Sequence, residues 1–239
     1  MLTLQDIFND LEAGELAQFS FSAGLDEVNG IQPEDYPTLI SHVNKALTAL
    51  HVRFPLRERE VTVQQYDELS FYLLDSKYSV LSTEPTDLPK YIIDTVERPF
   101  TDDILQIQAV YDEAGCKLPL NDDTACNGVW LTHYKTLQIP YPASDNTCFV
   151  LYRANHPAIA PDITDPNLVQ IDIPEYCIEP LLAYVAGRVY GRSMDQMQQS
   201  LSVGLMSKYE HMCTELEKFN VLHNNPNNTN TKLEQRGFV

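Results

Sequence analysis

The residues best able to carry out chemistry do not form a catalytic or metal-binding pattern in this sequence. His211 and Cys213 come nearest to a metal-ligand pair, but two positions apart on a helix they point to different faces. The paired acids Asp102–Asp103 and Asp122–Asp123 lack the alternating spacing of a Ca²⁺-binding loop. No P-loop, GxGxxG, HExxH or GxSxG motif occurs. We therefore expect no catalytic residue, no metal and no cofactor, and predict that the chain is not an enzyme.

Aromatic and imidazole side chains offer two further candidates. Trp130, Tyr134 and Tyr141 are residue types that stack on sugars or bases, although the aromatic half of a sheet core explains them more simply. His133 and His156 have no partner nearby in the sequence, so a structural role is the default interpretation.

The cysteine pattern favours reduced thiols. The chain has 5 cysteines, an odd number, and none of them belongs to a CxxC pair. Wide spacing of this kind is typical of cysteines that serve as small buried hydrophobes, and it indicates synthesis in a reducing cytoplasm. The five are Cys116, Cys126, Cys148, Cys177 and Cys213.

Acidic residues dominate the charge of the chain. Its 239 residues include 34 Asp and Glu against 16 Lys and Arg, which gives a net charge of −18. Such a charge argues against binding the outside of a nucleic acid or an anionic membrane, because both would repel the protein. The sequence also lacks the long apolar run of a transmembrane helix and the basic and apolar regions of a signal peptide.

Two helices are predicted near the N-terminus. Thr3, followed by Asp6 in the capping-box position, is expected to begin a short helix with one apolar stripe. Pro33 lies near the start of the second helix, whose apolar residues repeat at helical spacing until the pattern stops before Pro55.

Strand signals replace helical ones from about residue 59 to residue 154. Val61 and Val63 alternate with polar residues, and 105–111 places Leu, Ile, Ala and Tyr on one face. Residues 149–152 form a continuous apolar run. A small antiparallel sheet or barrel is the expected structure, with exposed loops at 75–103 and 119–128.

The C-terminal third predicts a pair of helices followed by a polar tail. The first helix begins near Glu179 and ends at Gly191, and Ser193 opens the second with Gln196 in the reciprocal capping position. Apolar residues follow the second helix at spacings of three and four, over more length than a small core needs, so one end is expected to pack on a neighbouring subunit. The candidate interface residues are Leu201, Leu205, Tyr209, Met212, Leu216 and Phe219.

The order of these parts resembles the head-to-tail adaptor (connector or head-completion) proteins of tailed bacteriophages, of the podovirus-like type. The resemblance lies in Thr136-Leu-Gln-Ile-Pro-Tyr-Pro142, the strand and polar loop of 149–157, the segment Ile171-Asp-Ile-Pro-Glu-Tyr176, and the Ala- and Tyr-rich helix of 182–190. It covers most of the chain and is best from about residue 130 to residue 220.

The resemblance implies a virion structural protein that joins the portal vertex of the capsid to the tail. It implies a homo-oligomeric ring, commonly of twelve copies, with the portal protein and a tail nozzle, tube or fibre protein as partners and no membrane. Packaged DNA would pass through the channel, where acidic side chains on the wall would keep it sliding. The protein would be made in the bacterial host cytoplasm and reside in the neck of the virion.

The expected fold class is α+β: a helical bundle built from N- and C-terminal helices, with an inserted antiparallel sheet or barrel and a flexible C-terminal tail. Residues 1–55 and 170–222 would form the ring, 56–169 the tail-facing β insertion, and 223–239 the portal-docking tail. Within that tail the candidate docking residues are Asn224, Lys232, Leu233, Arg236, Phe238 and Val239.

Two other interpretations stay open at this point. A different phage neck or tail-terminator protein would share the composition, and an acidic cytosolic enzyme or regulator without a recognisable motif would share the charge. A monomer at all concentrations would count against either ring-forming interpretation. No counterpart is found for the long stretch 75–128, which leaves open whether the β insertion contacts a nozzle, a fibre or a neighbouring subunit.

Overall fold

The fold was analysed in a computed structural model that describes residues 2–17, 31–125 and 127–219. These residues form four α-helices and eight strands in two antiparallel sheets, which confirms the α+β class. The helices are α1 (Leu4–Ala13), α2 (Tyr36–Arg53), α3 (Ile178–Tyr190) and α4 (Gln196–Lys218). The strands are β1 (Glu58–Gln64), β2 (Phe71–Leu73), β3 (Ile92–Ile93), β4 (Ile104–Tyr111), β5 (Lys117–Leu118), β6 (Trp130–His133), β7 (Thr136–Gln138) and β8 (Thr147–Ala154).

The chain divides into two compact units. One unit combines Met1–His42 with Thr164–Val239, and the other is Val43–Ile163. We call them the terminal unit and the central unit. The predicted divisions, after residue 55 and after residue 169, come 13 and 6 residues later in the chain than these limits.

Helix α1 begins as its sequence predicts. The Thr3 hydroxyl accepts a hydrogen bond from the Asp6 backbone N–H at 3.2 Å, and the Asp6 carboxylate accepts one from the Thr3 N–H at 2.8 Å. This reciprocal pair satisfies N–H groups that have no partner within the helix. The helix that this cap begins buries its apolar stripe, which consists of Leu4, Ile7, Phe8 and Leu11.

The start of α4 differs from its prediction. Asp195, not Ser193, is the N-cap, and its carboxylate accepts from the Met197 backbone N–H. The Ser193 hydroxyl instead accepts from the Asp195 N–H at 3.1 Å. Two residues with capping side chains, two positions apart, therefore act in series, and the helix begins after the second of them.

Gly191 follows α3 as predicted, but it does not adopt the left-handed conformation of a C′ glycine. Its φ is −66°. A Cβ at this position would lie 3.0 Å from the Ser202 Oγ. Close approach to α4 is thus the reason that a small residue suits this place.

The central unit is built around a five-stranded sheet in the order β3-β1-β8-β4-β5. Strand β8 is central, although it comes last in the chain, and pairs with β1 from Glu58↔Arg153 to Gln64↔Thr147. A second sheet has the order β2-β7-β6. Buried side chains from both sheets form one apolar cluster, which includes Val63, Tyr72, Tyr91, Leu137, Val150 and Tyr152.

Two predictions for the central unit are wrong in detail. The stretch 75–103 was expected to be exposed loop, yet it contains β3, and Tyr91 and Ile92 are buried in the core. In β4 the expected single-face alternation is interrupted, because register shifts break its pairing with β8 at two places. Ala109 and Val110 are consequently both buried.

Polar contacts join the second half of α2 to the segment that follows β8. The Asn44 side chain donates to the Ile159 carbonyl and accepts from the Ile159 N–H, at 2.8 and 2.9 Å. The Arg153 guanidinium donates to the carbonyl oxygens of His51 and Val52 at 2.7 and 2.9 Å, near the C-terminus of the helix. A cation in this position satisfies carbonyl groups that the helix leaves unpaired and is favoured by the helix dipole.

Candidate functional site

Helices α3 and α4 pack as an antiparallel hairpin in the terminal unit. The Ser202 hydroxyl donates to the Gly187 carbonyl at 2.7 Å, and the rings of Tyr184 and Tyr209 meet edge to face with centroids 5.1 Å apart. Gly187 faces Met206, whose Sδ would lie 3.0 Å from a Cβ on that glycine. The absence of a side chain at Gly187 therefore lets the two helices approach closely.

Helix α4 is longer than its partner. It has 23 residues against 13 in α3, which corresponds to about 34 Å against about 20 Å of helix. Because Ser202 lies beside Gly191 at the end of α3, the first part of α4, 196–201, runs beyond that end. We call residues 193–201 the α4 overhang.

Large apolar side chains of the α4 overhang are exposed. Met194 is 99% exposed, Met197 71% and Leu201 43%. Scattered exposed apolar residues are ordinary on protein surfaces, but three within eight residues at one helix end form a local patch. The overhang is thus the part of the hairpin best suited to contact another molecule.

The six predicted interface residues are not equally available. Phe219, at the far end of α4, is 72% exposed, while Leu205, Met212 and Leu216 are half-buried. Tyr209 is only 4% exposed, because its ring is covered by Tyr184 of the same chain. Tyr209 fits the apolar periodicity of α4 because it contacts α3. A sequence pattern of this kind does not distinguish a partner in the same chain from one in a second copy.

Arginine side chains border the α4 overhang, and sequence analysis did not single them out. Arg188, near the end of α3, and Arg192, just after it, are exposed. Within 2–17, 31–125 and 127–219, neither guanidinium makes an ion pair or a hydrogen bond. The other two described cations of the terminal unit are paired: Lys208 lies 3.1 Å from a Glu15 carboxylate oxygen, and Lys218 2.7 Å from one of Glu215. The only feature of the sequence that could have drawn attention to Arg188 and Arg192 is the occurrence of two cations four residues apart in an acidic chain.

The predicted portal-docking residues Asn224, Lys232, Leu233, Arg236, Phe238 and Val239 lie outside the described residues, as does Cys126.

An open groove of about 980 Å³ crosses the central unit beside β1 and the loop before β4. Arg59 donates to the Asp103 carboxylate at 2.7 Å and to the Pro99 carbonyl at 2.8 Å, and the Tyr152 hydroxyl donates to Asp103 at 2.9 Å. Burial, together with the nearby negative charge of Asp103, raises the pKa of Tyr152. These groups satisfy one another and fasten the loop to the sheet, which gives the cluster a structural role.

The candidate stacking surface is not assembled. Trp130 is half-buried, with its Nε1 3.4 Å from an Asp123 carboxylate oxygen, whereas Tyr134 and Tyr141 are exposed. Among the described residues these three rings make no contact with one another. The favoured interpretation, a sheet core, is wrong for the two tyrosines, which are exposed. Phe71 of β2 and Trp130 of β6 instead lie in the two outer strands of the three-stranded sheet. Both are paired with Gln138 of the middle strand β7.

The described cysteines are free thiols. Cys148, Cys177 and Cys213 are buried and Cys116 is exposed. Burial raises the pKa of both Cys148 and Cys177 to about 12. Over the described ranges no group of three or more His, Cys, Asp or Glu side chains is placed to hold a metal ion. A search of the same ranges found no helix with the length and apolar character needed to cross a membrane.

Comparison with protein families found none that matches this chain, and comparison with curated proteins found no similar sequence.

Proposed function

We propose that this protein is a head-to-tail adaptor of a tailed bacteriophage. Copies of the chain would form a ring, commonly of twelve subunits, between the portal vertex and the tail, and the ring would be part of the channel for DNA ejection. In this role the protein is a structural component of the virion neck and performs no catalysis.

The observation that carries the proposal is the exposed apolar surface of α4 beyond its pairing with α3. Met194 is 99% exposed and Met197 71%. A surface helix that extends past its own hairpin partner with apolar side chains in solvent is suited to side-by-side packing of identical subunits. Such packing supports a ring-forming role and supports no particular enzymatic one.

The arrangement of the elements also supports the proposal. Both chain ends contribute helices to the terminal unit, while the two sheets belong to the central unit. In the proposed ring the terminal unit forms a helical bundle and the central unit faces the tail. Residues 223–239 would dock on the portal.

The acidic charge acquires a specific role within this proposal. A net charge of −18 disfavours tight DNA binding. Carboxylates that line the channel would repel the phosphate backbone and keep DNA moving. A ring whose acidic side chains lie only on its outer surface would contradict this role.

The test is to mix the purified chain with the portal protein of the same phage and to image the mixture by electron microscopy. We expect a second ring stacked coaxially on the portal. A variant that lacks residues 224–239 should keep a cooperative thermal unfolding transition, which shows that it is folded, but fail to dock. Normal docking by the truncated variant would reject the role of the tail, and no docking by the intact chain would reject the adaptor function.

A further inference from the structure

One side of strand β1 in the five-stranded sheet is largely uncovered. On its other side β8 pairs with all seven residues of the strand. Among the described residues, the uncovered side pairs with β3 at Thr62 and Val63 alone. The remaining residues, 58–61, form a free strand edge about 13 Å long. We call residues 58–61 the open edge.

Strand β3 stops because the chain turns away from β1 after its second residue. The Asp94 carboxylate accepts a hydrogen bond from the Phe100 backbone N–H at 3.0 Å, across the turn. Thr95 would lie opposite Glu60 if the strand continued, but it pairs with Arg98 instead. These two contacts hold the chain in a turn and keep it from extending β3 along the open edge.

Two residues of the open edge direct their main-chain groups away from the sheet. On the β3 side Gln64 donates its backbone N–H to the Tyr91 carbonyl at 2.8 Å, and main-chain groups alternate between the two sides of an antiparallel strand. The N–H and C=O groups of Glu58 and Glu60 consequently point to the side that β3 leaves uncovered. Within the described part of the chain these groups make no hydrogen bond there. This row of donors and acceptors matches the backbone of an added strand.

The groove of about 980 Å³ beside β1 gives access to the open edge and is acidic. Its lining includes six carboxylates against three guanidinium groups, a net charge of −3. One of those cations, Arg59, is already paired with Asp103 at 2.7 Å. Glu58 and Glu60 are exposed and, two positions apart, project from the same face of β1. A strand with Lys or Arg opposite these two carboxylates is therefore favoured.

We propose that the open edge binds an extended, basic segment of another protein by strand addition. Main-chain hydrogen bonds to Glu58 and Glu60 supply affinity, and Lys or Arg at alternate positions of the segment lie opposite the two carboxylates.

A second copy of this chain is a poor occupant of the open edge. Antiparallel pairing of β1 with β1 of another copy would place glutamates of the two copies opposite each other, and like charges in that position are destabilising. Charged side chains on a free edge commonly prevent such self-pairing. The same two glutamates thus disfavour a second copy and favour a basic partner.

Binding at the open edge goes beyond the adaptor function, and each can be tested without the other. The open edge belongs to the central unit, whereas the proposed ring and portal contacts belong to the terminal unit.

Peptide binding to the intact protein provides the test. The probe is a fluorescein-labelled Thr-Val-Lys-Val-Lys-Val-Thr peptide, in which lysine alternates with a residue that favours strands. We expect saturable binding in fluorescence anisotropy with a dissociation constant of about 100 µM or lower. Two control peptides should bind at least about tenfold more weakly: one with glutamate in place of lysine, and one methylated at its central main-chain nitrogens.

A single charge reversal locates the binding site. Glu60→Lys should weaken binding of the lysine peptide about tenfold and strengthen binding of the glutamate peptide. Glu84→Lys makes the same charge change at an exposed position of the central unit outside the groove, and it should bind both peptides like the wild type. Unchanged melting temperatures would show that both variants are folded.

Amide hydrogen exchange measured by NMR tests the edge residue by residue. In the free protein the amide protons of Glu58 and Glu60 should exchange faster than those of Arg59 and Val61, which point to β8. With the lysine peptide bound, exchange at Glu58 and Glu60 should slow by at least about tenfold.

Three results would overturn strand addition and leave the adaptor function standing. They are no binding of the lysine peptide at about 1 mM, equal binding of the lysine and glutamate peptides, and unchanged binding by Glu60→Lys. Slow exchange at Glu60 that depends on protein concentration without any peptide would overturn it in favour of pairing between two copies.

Discussion

Two buried thiols make the free energy of unfolding of this protein depend on pH. Cys148 lies in β8 at the centre of the five-stranded sheet, and Cys177 immediately precedes α3. Burial raises the pKa of each to about 12, since the thiolate would lose its hydration without gaining a compensating partner. In the unfolded chain the same thiols ionise near pH 8.5.

The free energy of unfolding should therefore fall as the pH rises from about 8 to about 10. Over this range the unfolded chain releases protons that the folded chain retains, so each buried thiol removes roughly 1–2 kcal/mol of stability. Cys177→Ala should show a smaller decrease than the wild type in urea titrations at the two pH values under reducing conditions. The exposed Cys116→Ala is the matched control, and equal slopes for all three proteins would contradict this account.

Residue-scale features were predictable where the interaction is local. The capping pair of Thr3 and Asp6 involves positions three apart, so the sequence alone indicated it. The burial of Tyr209 depends on Tyr184, a contact that forms only when α3 and α4 fold against each other. Arg188 and Arg192 escaped notice because their importance lies in the absence of a described partner, which no sequence motif records.

At the scale of elements, the α3–α4 hairpin depends on small residues at its contact line. Gly187 allows the close approach of Met206, and the Ser202 hydroxyl binds the carbonyl of that same glycine. Gly204, on the same helix as Ser202, has open space where its Cβ would be. The two glycines thus occupy opposite environments within one hairpin.

Substituting leucine at each glycine should have opposite effects. Gly187→Leu forces the helices apart and should lower the free energy of unfolding by about 2 kcal/mol or more. Gly204→Leu adds a better helix former in open space and should raise that free energy by about 0.5–1 kcal/mol. Thermal melts of both variants at neutral pH measure the difference, and a similar destabilisation by the two would show that the hairpin contact is wrong.

Element prediction succeeded where periodicity extended over enough residues. Strands β1, β4 and β8 have seven or eight residues each and produce a readable pattern. Strand β3 has only two, and its inclusion in the sheet comes from pairing with β1, about thirty positions earlier in the chain. Short elements of this kind depend on long-range pairing and leave little local signal.

The whole molecule combines an acidic chain with exposed apolar side chains at one end of α4, namely Met194, Met197 and Leu201. Composition alone made the charge of −18 an argument against nucleic-acid binding. Under the proposed function the same charge lines a DNA channel. The α+β class followed from the sequence, whereas the limits of the two units depend on contacts between distant segments.

The central claim is that this chain forms a ring in the neck of a phage particle. The most direct measurement is a cryo-EM reconstruction of the intact virion that encodes it. We predict a ring of this fold between portal and tail, commonly twelvefold, with the α4 overhang of each subunit packed against a neighbouring subunit. A virion whose neck contains no density for this chain, or a chain present only as a monomer in infected cells, would contradict the account.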